Sequence, residues 1–567
     1  MKFYFKKNLF LLFTFLFLIF PLFSFADNFG QTKSFFVNSD YDLKNRLKVD
    51  AILEKFSNNA YFYLEKDWFY SLPDNQKNEV LNNLDFLSRE FDNNIYPKLT
   101  SFYGKEWDPG IDNDSRITVL FQQMKEEAGG YFNSGDEYLT LQNPNSNQRE
   151  IVYLNTKSLF SKRLPSYLAH EFTHLITFYQ KEKLRNVEED VWLNELRAEY
   201  APTYLGYDQN YPNSNLQQRI SDFLSNPSVS LTFWENKRQN YGIINLFAQY
   251  LAEKYGQKVI KDTMQSSKVG IASIEESLKN NGFSVDFSDV FKNFLIAIFS
   301  NDCDNLGSDL FCFKNENLKS IKVLPFLILL PRSENSEYSL NYFTKSWTGN
   351  WYKIAGSGNF QINFEGKREG GFQVVYIFCS QNKCKVDNIL LDNLQKGIIS
   401  FSNLSPSDSL SLIVFFENKV KTQDYNVYDF SIKIKNQNEN EALLEELLQR
   451  VKDLQNQILQ IQIKISEILR QKISCANFSG PILPGEKSQR VKCLQEFLKL
   501  QGKDIYPEGI ISGYYGNLTK AAVKRFQERY KEDILLPRNL LFGTGIADNL
   551  TIQKINFILN FGKNQGG

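Results

Sequence analysis

The strongest constraint in this sequence is the segment His170–His174, which reads His-Glu-Phe-Thr-His. The chain of 567 residues contains two histidines, and both lie in this segment. On a helix their imidazoles are one turn apart on the same face, so two ring nitrogens can converge on one metal ion. Glu171 lies between them, at the flank of that ion. The spacing therefore predicts a metal site on a helix.

A catalytic zinc ion needs a third protein ligand and one open position for water. Because no histidine remains and the cysteines are far away in the sequence, the third ligand is expected to be a carboxylate. The nearby candidates are Glu182, Glu188, Glu189, Asp190, Glu195 and Glu199. Residues 188–190 stand at the predicted start of a new helix, where the helix dipole is a sufficient reason for acidic side chains.

Glu195 lies inside that helix, and we predict it to be the third ligand of one Zn²⁺ ion per chain. Glu199 lies one turn further along the same face. It is predicted to accept the outer N–H of a ligating histidine and so to fix the tautomer of that imidazole. The alternative for Glu199 is an ordinary solvated helix carboxylate.

This pattern, His-Glu-x-x-His followed by Asn194-Glu195-x-x-x-Glu199, resembles the gluzincin metallopeptidases of the thermolysin-like clan. The form Trp-Leu-Asn-Glu is similar to the hyicolysin-like secreted proteases, although Leu196 stands where those usually have glycine. The resemblance implies that the two histidines and Glu195 bind zinc, and that Glu171 is the general base. It also implies a zincin-type protease fold over about residues 50–300.

The chemistry implied is hydrolysis of a peptide bond. Zinc lowers the pKa of its bound water toward about 7, and Glu171 takes the proton as that water attacks the carbonyl. Thermolysin-like enzymes use a further histidine to stabilise the oxyanion, and none is left in this chain. We expect Tyr241 in this role, while the alternative is that Tyr241 is a packing residue.

The N-terminus has the features of a secretory signal. Basic residues precede an apolar run from Leu9 to Phe23, and the run ends at Ser24-Phe25-Ala26. This predicts a signal peptide over residues 1–26 and a secreted, extracellular or cell-wall-associated protein. An uncleaved membrane anchor is the weaker alternative, because the run is short and contains Pro21.

Composition limits the partners. The 65 basic residues are balanced by 65 acidic residues, which argues against nucleic acid as a partner. The six cysteines are typical of three short-range disulfides in an exported protein. The local pairs are Cys303 with Cys312, Cys379 with Cys384, and Cys475 with Cys493.

A calcium site is a second metal hypothesis. Asp108, Asp112 and Asp114 share one loop, and carboxylates are the ligands that Ca²⁺ prefers. The loop lacks the central glycine and the terminal glutamate of an EF-hand, so a hydrogen-bonded turn is the favoured interpretation.

The predicted fold class is multidomain α+β. An N-terminal extension over residues 27–49 precedes a zincin metalloprotease domain over residues 50–312. In that domain we predict strands at residues 60–64, 116–121 and 150–154, a long helix at 76–103, and helices from 205 to 300. Gly129–Asn133 is either an edge strand that pairs with an extended substrate or a glycine turn.

The remaining chain changes character twice. Residues 316–436 alternate apolar and polar residues in short runs, which predicts a β-sandwich. Residues 440–473 predict a coiled coil, either a self-association element that joins copies of the chain or a stalk, because apolar residues recur at alternating spacings of three and four. A single amphipathic helix docked on the sandwich is the alternative. The apolar positions are Leu444, Leu447, Val451, Leu454, Ile458, Ile461, Ile465 and Ile468.

Residues 475–560 resemble a small three-helix peptidoglycan-binding domain. The resemblance implies binding to the cell wall, although some domains of this type bind other ligands or only pack on their neighbours. The residues that carry it are Val491, Leu494, Gln495, Phe497, Leu498, Gly509, Gly513, Gly516, Thr519, Ala521, Val523, Phe526 and Gln527.

Together these features predict a secreted zinc endopeptidase that acts on protein or peptide substrates and is held at the cell wall. One alternative is a hydrolase that uses the same metal on peptidoglycan cross-links. Another is a non-catalytic cell-surface adhesin, which would use only the wall-binding and coiled-coil parts.

Overall fold

The structure, a computed structural model, describes residues 26–125, 129–330, 337–367, 370–381, 383–418, 426–436, 442–475 and 477–560. The predicted signal peptide lies outside these residues except for Ala26. The chain divides into two compact units, one up to residue 438 and one from residue 439 onward. The mixture of helices and sheets confirms the predicted multidomain α+β fold class.

A six-stranded sheet forms one side of the first unit. Its order is β1-β2-β3-β4-β6-β5, with β3, β4 and β6 parallel and β5 antiparallel to β6. The predicted strands correspond to β3, β4 and β6, and the edge strand predicted at Gly129–Asn133 is confirmed as β5. The strands are β1 (Thr32–Phe36), β2 (Lys48–Phe56), β3 (Ala60–Glu65), β4 (Ile117–Gln122), β5 (Gly130–Phe132) and β6 (Ile151–Asn155).

Residues 27–49 are part of this sheet. β1 pairs with β2 in an antiparallel hairpin, and Phe35 on β1 is 3% exposed. The buried carboxylate of Asp27 accepts hydrogen bonds from the Tyr63 hydroxyl at 2.7 Å and from Arg149 at 3.0 Å. The predicted domain boundary at residue 50 therefore falls inside a hairpin, and the N-terminal extension is not a separate segment.

Eleven helices of the described residues complete the helical part of the first unit. A π-helical turn, Phe91–Ile95, joins α2 to α3, so the long helix predicted at residues 76–103 is present with one bulge. The helices are α1 (Lys66–Ser71), α2 (Asp74–Glu90), α3 (Tyr96–Tyr103), α4 (Leu164–Thr177), α5 (Val191–Tyr204), α6 (Asn215–Ser225), α7 (Arg238–Tyr255), α8 (Gln257–Gln265), α9 (Gly270–Asn280), α10 (Phe287–Ser300) and α11 (Cys303–Leu306).

Two further sheets confirm the predicted β-sandwich. Their orders are β13-β10-β15-β8 and β12-β11-β14-β9-β7. Ile362 and Ile432 of one sheet and Leu412 of the other are 0% exposed in a common core. The strands are β7 (Phe326–Leu329), β8 (Glu337–Thr344), β9 (Asn350–Ala355), β10 (Gly358–Gly366), β11 (Phe372–Ser380), β12 (Lys383–Asn388), β13 (Lys396–Leu404), β14 (Ser409–Phe416) and β15 (Tyr428–Asn436).

The sandwich is continuous with the helical part of the first unit. The Trp347 ring lies 4.8 Å from the Phe287 ring and 5.4 Å from the Phe291 ring. The Trp351 indole N–H donates to the Leu295 carbonyl at 3.2 Å. The predicted boundary between residues 312 and 316 therefore does not separate two independent bodies, because aromatic side chains from both sides form one core.

The second unit contains α12 (Ala442–Lys472), α13 (Gln489–Leu500), α14 (Asn517–Arg529), α15 (Lys531–Ile534) and α16 (Asn549–Leu559). Helices α13, α14 and α16 surround a core that includes Leu494, Leu498, Val523 and Phe526, each 0% exposed. These four side chains are the ones expected from the resemblance to the three-helix domain.

Two buried glutamines make the same set of contacts in this unit. The Gln495 amide donates to the Thr519 hydroxyl at 2.8 Å, and its carbonyl accepts the Gly513 N–H at 2.8 Å. The Gln527 amide donates to the Thr551 hydroxyl at 2.9 Å, and its carbonyl accepts the Gly545 N–H at 2.9 Å. The partners lie 24 and 18 residues after the glutamine in both cases, which reveals an internal repeat with α14 shared by both halves.

The three predicted disulfides are confirmed. Cys303 bonds to Cys312, Cys379 to Cys384, and Cys475 to Cys493. Among the helices of the described residues, none has both the length and the apolar composition needed to span a membrane.

Glu137 and Glu150 form a buried carboxyl pair at 0% and 2% exposure. One Glu150 oxygen accepts the Ile111 N–H at 2.8 Å, whereas its other oxygen and both Glu137 oxygens have no hydrogen-bond partner among the described residues. Burial raises the pKa of Glu150 to about 7, and burial together with the Glu150 charge raises the pKa of Glu137. The folded pair thus keeps a proton at a pH where the unfolded chain has lost both.

We expect Glu137→Gln to stabilise the first unit at about pH 8 and to leave it unchanged at about pH 5. A carboxyl whose pKa is raised by folding stabilises the fold below its unfolded pKa, and this contribution is lost as pH rises through the folded value of about 7. The amide removes one charge and can donate to Glu150, for a gain of roughly 1–2 kcal/mol at the higher pH.

The measurement is chemical unfolding followed by tryptophan fluorescence, because all six tryptophans lie in the first unit. Glu79→Gln, an exposed change on α2, is the control. An equal effect of Glu137→Gln on the free energy of unfolding at both pH values would contradict the raised pKa of the Glu137–Glu150 pair.

Candidate metal centre

Two neighbouring helices, α4 and α5, carry the predicted ligands. α4 begins at Leu164 with a proline in its first turn, where the missing N–H costs no intrahelical hydrogen bond. Leu168 and Phe172 on α4 are 0% exposed, and they fix the rotation of the helix about its axis. As a result His170 and His174 face α5 and its residue Glu195.

The three candidate ligand atoms form a compact triangle. The Nε2 atoms of His170 and His174 are 3.1 Å apart, and Oε2 of Glu195 lies 3.2 Å from the first and 3.6 Å from the second. Tetrahedral zinc with bonds of about 2.0–2.1 Å separates its ligand atoms by roughly 3.3–3.4 Å. Glu195 Oε2 is buried without a hydrogen-bond partner among the described residues. The residues present therefore fit a zinc ion.

The outer nitrogens of both imidazoles have acceptors. His170 Nδ1 lies 3.4 Å from Glu199 Oε1, and His174 Nδ1 lies 3.1 Å from Asn194 Oδ1. Because a carboxylate and an amide oxygen accept hydrogen bonds, each imidazole in its neutral form carries its proton on Nδ1 and presents the Nε2 lone pair to the centre of the triangle. This is the tautomer that metal ligation requires.

Glu199 is held by a buried network. The Arg219 guanidinium on α6 donates to both of its oxygens, at 2.9 and 2.6 Å, and Asn215 donates to Oε2 at 2.9 Å. Burial alone would raise the pKa of Glu199, but the Arg219 charge and the His170 contact hold it well below its usual range. Since Glu199 is 0% exposed, the alternative of a solvated helix carboxylate is excluded.

The site stabilises positive charge at its centre. Burial lowers the pKa of His170, but the adjacent carboxylates of Glu195 and Glu199 outweigh burial and raise the pKa to about 10. Burial raises the pKa of Glu195, but the two histidines outweigh it and lower the pKa to about 2. A cation bound between these groups would compensate the same negative charge that raises the pKa of His170.

Glu171 lies on the side of the site where strand β5 passes. It is 7% exposed, and a Cβ atom at Gly130 of β5 would come within 2.7 Å of its Oε1. Burial raises the pKa of Glu171 to about 7, against the opposing effect of His170 and His174. Glycine at position 130 thus lets the edge strand approach the carboxylate closely.

Tyr241 at the start of α7 borders the same site. Its ring lies 6.5 Å from the His170 ring and 4.7 Å below the Arg219 guanidinium carbon. Its hydroxyl donates to Asn236 Oδ1 at 3.0 Å. Burial, together with the charge of Glu195, raises the pKa of Tyr241, so the hydroxyl stays protonated and able to donate.

Sequence reasoning did not predict the positions of four residues around the site. Asn194 was part of the quoted pattern, but its contact with His174 depends on the crossing of α4 and α5. Arg219 lies on another helix and carries no local signal. Gly130 belongs to the predicted edge strand, but its close approach to Glu171 was not predicted. Tyr41 stacks on Tyr131 of β5 at 4.9 Å, and burial and the charges of Glu171 and Glu195 raise its pKa.

The interpretation of Glu189 as a helix-dipole residue is wrong. Glu189 is buried at 9% exposure and accepts ion pairs from Lys181 at 3.0 Å and from Arg197 at 2.9 Å. Its carboxylate therefore compensates two buried cations beneath α5.

The three loop aspartates proposed for calcium face different partners. Asp108 pairs with Lys105 at 2.9 Å, Asp112 with Arg149 at 3.4 Å, and Asp114 accepts the Tyr61 hydroxyl at 2.7 Å. Within the described residues, the group of side chains that could hold a metal ion is His170, His174 and Glu195.

Comparison with known proteins supports the C-terminal part of the chain. Residues 487–532 match the family model described as "Putative peptidoglycan binding domain", so a domain of this type is present there. No curated protein matches the sequence.

Solved structures show only weak likeness. The pre-peptidase C-terminal domain of a collagenase from Bacillus anthracis is 11% identical, over 20% of this chain and 95% of its own, with a TM-score of 0.14. PliG from Aeromonas hydrophila, a periplasmic inhibitor of g-type lysozyme, is 8% identical, over 20% and 98%, with a TM-score of 0.15. The IMPa metallopeptidase from Pseudomonas aeruginosa is 9% identical, over 71% and 50%, with a TM-score of 0.12. Scores this low carry no argument about fold or function.

We expect Glu195→Ala to weaken zinc binding by more than about 100-fold, the upper range for losing a residue that only supports a ligand. The substitution removes one of the three candidate ligand atoms and the negative charge that attracts the cation. The measurement is a competition titration with a chromophoric chelator. Glu188→Ala, an exposed neighbour, is the control. Unchanged affinity in Glu195→Ala would place the third ligand elsewhere.

Proposed function

We propose that this protein is a secreted zinc endopeptidase of the gluzincin type, held at the cell wall by its C-terminal domain. The observation that carries the proposal is the triangle of His170, His174 and Glu195 with Glu171 beside it. A structural zinc site would use four protein ligands, whereas this set offers three and leaves one coordination position for water.

In this proposal His170, His174 and Glu195 hold the zinc ion. The bound metal supplies Lewis acidity, which lowers the pKa of water to about 7 and polarises a peptide carbonyl. Glu199 and Asn194 keep both imidazoles in the tautomer that leaves Nε2 free. Arg219 keeps Glu199 anionic and fixed in position, so the ligand geometry is set before substrate arrives.

Glu171 is the proposed general base. Its pKa of about 7 lets it accept a proton from the attacking water at neutral pH and return that proton to the leaving amine. Turnover should fall as the pH drops through the pKa that Glu171 has in the zinc-loaded site, because the protonated carboxyl cannot act as a base.

Strand β5 is the proposed binding edge for the substrate. It is the last strand of the sheet, so one side of its backbone has no strand partner in the described sheet. An extended peptide that pairs with this edge would lie over Glu171, because Gly130 brings the strand to the carboxylate. The protonated Tyr241 hydroxyl is the proposed hydrogen-bond donor to the oxyanion. To reach the oxyanion, it would give up its hydrogen bond to Asn236.

The cell-wall part of the proposal rests on the family match at residues 487–532. The three disulfides are compatible with an extracellular location, because such bonds persist in oxidising compartments.

The same family match favours a second candidate function, hydrolysis of peptidoglycan cross-links with the same metal. A non-catalytic adhesin has less support, because it gives no reason for a base with a pKa of about 7 next to three converging ligands.

We expect Glu171→Gln to retain zinc and to lose peptide hydrolysis by about 10²–10⁴-fold, since the amide cannot accept the proton from water. The measurement combines zinc content with the cleavage of casein and of a peptide library by the purified protein. Glu182→Gln, on the turn after α4, is the matched control.

Turnover of Glu171→Gln equal to that of the wild type would exclude the assigned base. Release of fragments from purified sacculi, with no cleavage of casein or of the library, would replace the endopeptidase proposal by the cross-link hydrolase.

We expect the full chain to sediment with purified sacculi and a chain ending at residue 438 to remain in solution while still cleaving peptides. The truncation removes the second compact unit and leaves the first unit whole. Sedimentation of the truncated chain to the same extent would contradict a wall-binding role for the C-terminal domain.

A further inference from the structure

Helix α12 has one face that packs inside its own unit. Ser466, Leu469 and Ile473 are buried at 4%, 9% and 7% exposure. Leu469 and Ile473 belong to the core that α13, α14 and α16 surround. This docked face fixes the C-terminal end of α12 to the domain that matches the peptidoglycan-binding family.

A second apolar face of the same helix is exposed. We call it the heptad stripe, and it consists of Leu454 (55% exposed), Ile458 (54%), Ile461 (56%), Ile465 (49%) and Ile468 (51%). No side chain of the described residues covers this stripe. Single exposed apolar residues are common on protein surfaces, whereas a continuous exposed apolar row indicates an interaction site.

The spacing of the residues in the heptad stripe indicates whether it packs against another helix or against a globular surface. Its residues recur at intervals of four, three, four and three, which is the period of the a and d positions of a coiled coil. A helix that docks on a globular surface uses a broader apolar face, with a third position in each heptad. Here the flanking residues Gln455, Gln457, Gln462 and Lys464 are polar and exposed, so the stripe keeps the width of a coiled-coil seam.

The stripe and the docked face can be occupied at the same time. At 3.6 residues per turn, the centre of the docked face lies roughly a quarter turn from the centre of the stripe. A partner helix along the stripe therefore leaves Leu469 and Ile473 in their core.

We propose that the heptad stripe is the seam of a coiled coil between copies of this chain. A second copy supplies a stripe of the same period and length, which a knobs-into-holes seam requires along its whole length. The described part of the stripe spans 15 residues of a 31-residue helix, about two heptads with further helix on its N-terminal side.

Self-association brings the C-terminal domains of the copies side by side, because each domain is docked on the end of its own α12. Two or more of these domains can then bind at once to a surface that offers many binding sites, such as a cell wall. Linked sites of this kind raise the overall affinity by about 10²–10⁴-fold without any new contact. This consequence rests on the proposed wall binding, whereas the self-association does not.

The test is the mass of the full-length secreted chain by light scattering coupled to size exclusion. For the wild type we expect the mass of two or more chains. The double variant Ile461→Lys, Ile465→Lys should have the mass of one chain, because two buried ammonium groups in each helix cannot be accommodated in the seam. Both side chains are exposed in the single chain, so the variant leaves its core intact.

The matched control is Gln460→Lys with Glu467→Gln, which adds the same net charge at two exposed positions of α12 on the side away from the stripe. The control should have the same mass as the wild type. The proposal would be overturned if the wild type had the mass of one chain, or if the stripe variant still had the mass of two or more chains. Circular dichroism with an unchanged helical signal confirms that the variant remains folded.

A second measurement separates this inference from the proposed function. Sedimentation with sacculi should weaken by about 100-fold or more in the stripe variant and not in the control. If no form binds sacculi while the masses change as expected, wall binding fails and self-association stands.

Discussion

The pairing of Arg219 with Glu199 is the interaction on which the rest of the site depends. A carboxylate buried at 0% exposure is strongly unfavourable unless a cation and hydrogen-bond donors compensate it. Arg219 compensates Glu199 through two contacts, and Glu199 then orients the His170 ring. The triangle of candidate ligand atoms is therefore positioned in part by a guanidinium on a third helix that contacts none of them.

The surrounding fold keeps this arrangement in place. α4 lies between the sheet and α5, and its buried side chains leave it one orientation. The sandwich adds to this rigidity, because Trp347 and Trp351 pack on α10 and join the two halves of the first unit in one core. Strand β5 is the last strand of the sheet and approaches Glu171 through Gly130.

Much of this fold follows from local pattern. The strands at residues 60–64 and 150–154, the π-interrupted helix at 76–103 and the sandwich were predictable because period and turn residues are local signals. The triangle was predictable because histidine is so rare in this chain that its spacing is informative. Arg219, Gly130 and Tyr41 were not, since their closeness to the site is produced by the crossing of helices and the order of strands. The boundaries at residues 50 and 316 were misplaced for a related reason: a hairpin and a shared aromatic core leave no mark in composition.

The repeated glutamine contacts in the second unit have a consequence for how that unit loses its structure. Gln495 and Gln527 each tie one helix to the loop and threonine that follow, and α14 supplies the threonine of the first set and the glutamine of the second. Because α14 anchors both sets of bonds, unfolding of that helix breaks both sets together. Amide hydrogens on both sides of α14 should exchange with solvent as one cooperative block.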